Sequence, residues 1–349
     1  MAIAIYDYND SKIPLILKLS EETCLSEMLG HYFFDTDWQH GPNIFIDFEH
    51  KDLEEKIFHE VKECVNNYVM EHNLSEETVE RKRELYLKKQ EKLMQLEFRK
   101  QSQSITMHDH GDVKIRDSKT GLYNSSFHYN MFKRYRYDLN PIYLNILKEF
   151  RNLSEVEKAH LFLDKFRFIA TLFEEGPSRG CLSFLSHAQG FFSNIEARGY
   201  ESKIKETFEN RRYALYKNYK PEIKGKVENP LKEWQKKWLV IKDEMNNIFD
   251  ISNYEDAERL GLKDQLELLK RELKPLANEF HGDLLKMDEK ELEEFILSKR
   301  MLVFRDIVNL FYLSLPLFEQ SMAKKQFYAY SVVRYYEETL DEELLYTIK

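Results

Sequence analysis

The stretch SEVEKAHLFLDKFRFIATLFEEGP, Ser154 to Pro177, decides the fold class. Ser154 followed three residues later by Glu157 is a capping box. The hydroxyl can accept from one free helix-terminal amide and the carboxylate from another. Leu161, Phe162, Phe166, Ile169 and Leu172 then recur at intervals of three and four, which is one apolar stripe of a helix. Gly176-Pro177 stops it.

The same pattern continues downstream. Leu182 to Asn210 reads as helical. Glu255 to Leu273 places Leu266, Leu269 and Leu273 on one side, and Pro275 stops it. Asp288 and Glu291 form a second capping box before a long helix to about Leu315. A final, tyrosine-rich helix runs from about Leu317 to the end. Residues 131–349 are therefore expected to form an antiparallel helical bundle.

Upstream the period changes. Ala2 to Tyr8, Ile13 to Leu19 and Asn43 to Phe48 are short β-prone runs, and Ile44, Ile46 and Phe48 share one face at period two. Gly41-Pro42 marks a turn. With Glu21 to Tyr32 as a helix, residues 1–50 read as a small α/β portion. Leu53, Ile57, Val61, Cys64, Val65 and Tyr68 then define a helix, and Ser75 caps a second one reaching about Gln101. Val79, Tyr86 and Leu93 lie seven apart on that charged second helix, a narrow seam of coiled-coil type. Residues 51–104 are thus a charged helical hairpin. Residues 105–130 read as a connection holding a short β-hairpin that turns at Ser118 to Gly121. The fold class is mainly α, with that small N-terminal α/β portion.

Composition agrees. Of 349 residues only 11 are glycine and 8 proline, too few for a fold built on many tight turns. Aromatics make up 14%, which excludes low-complexity disorder. The three cysteines, Cys24, Cys64 and Cys181, are far apart, so no disulfide framework or CxxC motif is expected. A reducing, cytoplasmic setting is the simplest reading. Met301 to Phe318 is apolar but carries Arg305 and Asp306, so a buried core helix rather than a membrane span is expected.

The net charge of −9 is unevenly spread. Residues 1–100 carry about −8, residues 101–240 about +7 and residues 241–349 about −8. A basic middle between acidic flanks either offers an anion-binding surface or packs against the acidic ends of its own chain.

Two groups of residues could carry chemistry. His108, His110 and Asp112 would share one face of an extended segment, giving two imidazoles and a carboxylate for one divalent metal. His128, at the far end of the proposed hairpin, is a conceivable fourth ligand. That set would suit a metal-dependent phosphoester hydrolase. The second group interleaves cations and aromatics. Lys133, Arg134, Arg136, Arg211, Arg212, Lys217 and Lys220 would neutralise phosphates, and Tyr135, Tyr137 and Tyr213 would stack on bases. Trp234, Lys236, Lys237 and Trp238 form a further such segment. Phosphate-loop, dinucleotide-loop, nucleophile-elbow and HExxH signatures are missing. The leading expectation is a helical binding protein for a phosphate-bearing macromolecule, with nucleic acid as the testable partner. The alternatives are the metal-dependent hydrolase and a scaffold that oligomerises through residues 75–101.

Overall fold

The computed structural model describes residues 2–96, 106–118, 123, 125–196, 201–217, 223–251, 282 and 286–339. The chain is mainly α-helical, with one small antiparallel sheet built largely from its N-terminal part. It divides into two compact units. Unit 1 comprises Met1–Thr120, Lys133–Arg151 and Leu313–Glu319. Unit 2 comprises Gly121–Phe132, Asn152–Tyr312 and Gln320–Lys349. These units are assembled from separated pieces of chain rather than from consecutive blocks.

Unit 1 is organised by four strands, β1 (Ala2–Tyr6), β2 (Tyr32–Asp37), β3 (Asn43–Phe48) and β4 (Val113–Arg116), in the order β2-β3-β1-β4. All pairings are antiparallel. Ile3 pairs with Ile46 and Ile5 with Ile44, so the isoleucines fall on one face, as the period-two pattern of β3 implies. The other face carries Ala2, Ala4, Tyr6 and Phe45, which are buried together. Every residue of β1 and β3 is buried, so this sheet is covered on both sides.

Two expected elements change type. Ile13 to Leu19 is not a strand but the body of α1 (Ile13–Glu22). A continuous apolar run does not distinguish the two, and Pro14 in the first turn favours the helix. The Glu319 carboxylate accepts from the Lys12 amide at 2.8 Å and the Ser11 hydroxyl at 2.6 Å, satisfying donors at that helix start. Glu21 to Tyr32 holds a single 3₁₀ turn, Cys24–Glu27, in place of a helix. Helix α2 (Glu54–Glu71) buries Ile57, Val61, Cys64, Val65 and Tyr68, the stripe read from the sequence.

Helix α3 (Glu76–Leu96) is held by its own chain. Tyr86 packs edge-on against Tyr8, Lys82 Nζ donates to the Tyr8 carbonyl at 2.6 Å and to Asp10 at 2.7 Å, and Arg83 pairs with Asp109. The seam residue Tyr86 is thus used inside unit 1. The expected end of this helix near Gln101 lies outside the described residues. Most of the turn of the hairpin expected after residue 113, residues 119–121, lies outside the described residues. Strand β4 pairs with β1, and Ser126 opens the long helix α4 (Ser126–Phe150).

Unit 2 contains α5 (Glu155–Thr171), α6 (Pro177–Glu196), α7 (Glu201–Lys217), α8 (Ile223–Ile251), α9 (Glu289–Ile296), most of α10 (Lys299–Ser314) and α11 (Met322–Thr339). The capping box at Ser154 forms with both bonds, at 3.3 and 2.7 Å. Gly176 takes φ +87°, the left-handed conformation that ends a helix, and Pro177 opens the next. Asp288 caps α9 through the Lys290 amide at 2.9 Å, but the single helix expected from there is two, α9 and α10. The helix expected over Glu255 to Leu273 lies outside the described residues. Lys299–Phe318 is long and apolar enough to cross a membrane, yet 67% of its window is buried within the protein. Trp234 and Trp238 on α8 are fully buried and Lys236 is exposed, the arrangement of an amphipathic packing helix.

Helix α6 packs against α5 and α11, and Gly180 sits where α6 crosses α5. A Cβ at residue 180 would overlap the Ala170 carbonyl. Gly180→Ala is expected to destabilise the protein by about 2 kcal/mol or more, despite alanine's better helix propensity, because backbone must move to admit the methyl group. Urea unfolding of the variant against the parent chain checks this.

Candidate active site

Residues 133, 136, 137 and 140 are spaced to lie on one face of α4. In unit 1 that face meets the side of the sheet carrying Phe33, Asp35 and Asp47. Phe33 pairs with Asp47 and Asp35 with Phe45, so both aspartates lie on the same side of adjacent strands. Lys133 Nζ lies 2.7 Å from Asp47 Oδ1, and the Tyr137 hydroxyl donates to that same oxygen at 3.2 Å. Arg136 pairs with Asp35 at 3.2 Å, and its guanidinium lies 3.8 Å above the Phe33 ring. Asn140 Oδ1 accepts from the Phe34 amide at 3.3 Å, tying the helix to β2.

These groups are well buried. Asp47 is 2% exposed, against 18% for Lys133. Arg136 and Asp35 are about one-tenth exposed. Withdrawing such charges from water costs several kcal/mol per ion, on the order of what a good pair returns. An apolar interface of the same shape would be at least as stable. A sheet–helix interface that retains four charges and a phenol therefore marks a candidate site of chemistry. Chemically it offers a carboxylate oxygen shared by an ammonium and a phenol, a short path for a proton, with a guanidinium one helical turn away.

The remaining expected site residues fall elsewhere. Tyr135 is fully buried and Tyr137 nearly so, and neither presents a ring for stacking. Arg134 is exposed and lies over the Tyr135 ring. On α7 in unit 2, Arg212 is gripped by Glu209 at 2.9 Å and by both oxygens of Glu338 at 2.9 and 2.7 Å. Arg211 lies over Phe327, while Lys217 and Tyr213 are exposed. Lys220 lies outside the described residues.

His108, His110 and Asp112 do not converge. The segment bends at Gly111, φ +88°, instead of running extended, because Asp112 N–H bonds back to the Asp109 carbonyl. The His108 ring lies tilted against Tyr6 with centroids 4.3 Å apart, and its nitrogens are 2.6 Å from Arg116 and 3.5 Å from Asp112. His110 turns to Asp7 at 3.6 Å and accepts from the Tyr8 amide at 3.2 Å. Burial holds both imidazoles below their ordinary pKa, with the Arg116 charge adding to the effect at His108. His128 belongs to unit 2, on α4 with its Nε2 3.0 Å from Asp306.

Lys133, Arg136 and Tyr137 stand out in the sequence, where they read as phosphate and base contacts, whereas Asp35, Asp47 and Asn140 do not stand out. The available signal was a charged residue inside each of two strand-forming apolar runs, YFFDTD and NIFIDF. Two lysines in unit 2 are likewise inconspicuous in the sequence. Burial pushes Lys165 down to about 7 and Lys325 down to about 8. Lys325 Nζ lies 3.7 Å from the Tyr312 ring centroid, and burial raises that phenol's pKa well above its ordinary value.

No family model matches the chain, and no curated protein matches it. Solved structures do. A pyridine synthase, TbtD, from thiomuracin biosynthesis superposes with a TM-score of 0.59 at 12% identity, covering 97% of each chain. TsrL superposes with a TM-score of 0.61 at 13% identity, covering 99% of this chain and 96% of its own. The shared property is the fold, over essentially the whole length.

Two outcomes follow from the buried charges. Asp47→Ala removes the carboxylate that pairs with the Lys133 ammonium and should cost about 3–5 kcal/mol in urea unfolding, whereas Asp47→Leu combined with Lys133→Met should recover much of that loss. Separately, unfolded lysines hold their protons between about pH 7 and 10 while Lys165 and Lys325 release theirs in the fold. The unfolded state then binds more protons, so these two groups make stability rise with pH across that window. Lys165→Met and Lys325→Met should each flatten the rise in a thermal-unfolding series.

Proposed function

We propose that this chain is a biosynthetic enzyme whose chemistry is proton transfer, in a ring closure or elimination, at the α4 face of unit 1. The observation that carries this reading is the single Asp47 oxygen that holds both Lys133 Nζ and the Tyr137 hydroxyl. Lys133 is the most exposed member and meets the substrate. Its ammonium supplies a proton to the leaving group, and the amine so formed takes up the proton that leaves carbon or nitrogen, so the site ends in the protonation state in which it began. Asp47 holds that ammonium in place. Tyr137, bonded to the same oxygen, helps hold that carboxylate in place. Arg136, flat on Phe33 and anchored by Asp35, is placed to orient a carbonyl or carboxylate of the substrate.

The likeness of fold to a pyridine synthase supports the same class of reaction. Closing an aromatic nitrogen ring requires bonds to form at one place while protons and leaving groups depart at another. That is work for fixed acid–base groups in a site shielded from water. A phosphate-bearing partner would instead require cations left open. Lys133 and Arg136 face aspartates and Arg212 sits between two glutamates, which argues against that use of the basic middle.

The test is genetic complementation read by mass spectrometry. Removal of the gene from the source cell should abolish a product and accumulate its precursor, and the intact chain should restore the product. Lys133→Met should lower product by roughly 100-fold or more at equal protein level, since a positioned proton-transfer group contributes about 10²–10⁴ in rate. Lys133→Arg, which keeps the charge but does not release a proton, should restore less than lysine does. Full restoration by Lys133→Met would end this reading.

A further inference from the structure

Outside that site, one trio of side chains is arranged as ligands. His31 directly precedes β2, and Glu49 and His50 directly follow β3. The strand register carries one step beyond Tyr32 and Phe48, and the Glu49 amide donates to the His31 carbonyl at 2.9 Å. His31 Nδ1 lies 2.6 Å from Glu49 Oε2, and the two imidazole rings have centroids 5.1 Å apart. One ligand atom from each of the three residues lies within 4.8 Å of the other two, and among the described residues no other set of His, Cys, Asp and Glu meets that condition.

We propose that His31, Glu49 and His50 form a binding site for a divalent transition-metal ion of the zinc class at the open end of the β2–β3 pair. Two imidazole nitrogens and one carboxylate oxygen are the donor set that zinc, nickel and cobalt prefer over calcium or magnesium. Neighbouring ligand atoms on tetrahedral zinc are about 3.3 Å apart at metal–ligand distances of 2.0–2.1 Å, a spacing between the 2.6 Å of the His31–Glu49 pair and the 4.8 Å within which all three ligand atoms lie. All three side chains are exposed. The backbone bond between residues 31 and 49 holds two of the ligands in advance, which lowers the ordering cost of binding. Three protein ligands leave a fourth position for water. The bound ion would also tie β2, the edge strand, to β3 where the pair is otherwise open.

Isothermal titration of zinc chloride into the intact, chelator-stripped protein tests the site. One zinc per chain is expected. His31→Ala and His50→Ala should each weaken binding at least tenfold and Glu49→Gln less so. His59→Ala, which removes an exposed histidine on α2, should leave it unchanged. Circular dichroism checks that each variant is folded. The absence of saturable zinc uptake by the parent protein would refute the site, as would undiminished uptake by the His31→Ala, His50→Ala double variant. Neither result bears on Lys133 and its chemistry.

Discussion

A carboxylate placed in the interior of a sheet is the constraint on which unit 1 depends. Asp47 has almost no contact with water, and an ammonium and a phenol converge on one of its oxygens to offset the cost of burying its charge. Both partners come from α4, four residues apart. Rotating that helix by one residue would turn its face by about 100° and carry both groups away from the aspartate. Strand parity in β3 and helix register in α4 therefore determine each other. The Arg136–Asp35 pair and the Asn140 bond to the β2 backbone reinforce the same register.

The regional charge asymmetry has a related explanation. Lys133, Arg136 and Lys148, from the basic middle of the chain, pair with Asp47, Asp35 and Glu21 of the acidic first hundred residues. In unit 2, Arg212 pairs with Glu338, and Arg300 and Lys324 pair with Glu175 and Glu155. The exposed pairs among these contribute little to stability individually. Much of the positive field that a summed charge suggests is nonetheless consumed within the molecule.

What the sequence made legible follows from how far each signal reaches. The capping box at Ser154, the Gly176-Pro177 stop and the stripe of α2 are local, and they appear as read. Ile13 to Leu19 was ambiguous because a fully buried helix and a fully buried strand present the same run of apolar residues. Strand β4 was visible as a strand, but its partner was not, since nothing near Val113 refers to Ala2 through Tyr6. The candidate site was half legible for the same reason. The cations and tyrosines of α4 are conspicuous in sequence, whereas the aspartates that give them a role lie some 90 residues earlier and reveal themselves only as polar interruptions of apolar strands.

The pairing of β1 with β4 has a consequence for how this protein is made. Ile3 meets Ile115 across more than a hundred intervening residues. During synthesis the first strand leaves the ribosome long before its second neighbour exists, and its unpaired edge stays open for the whole interval. The hairpin of β2 and β3 can cover one side early, because the turn around Gly41 is short. The other side waits for a distant loop to close, which makes the last strand of this sheet the natural slow step in maturation.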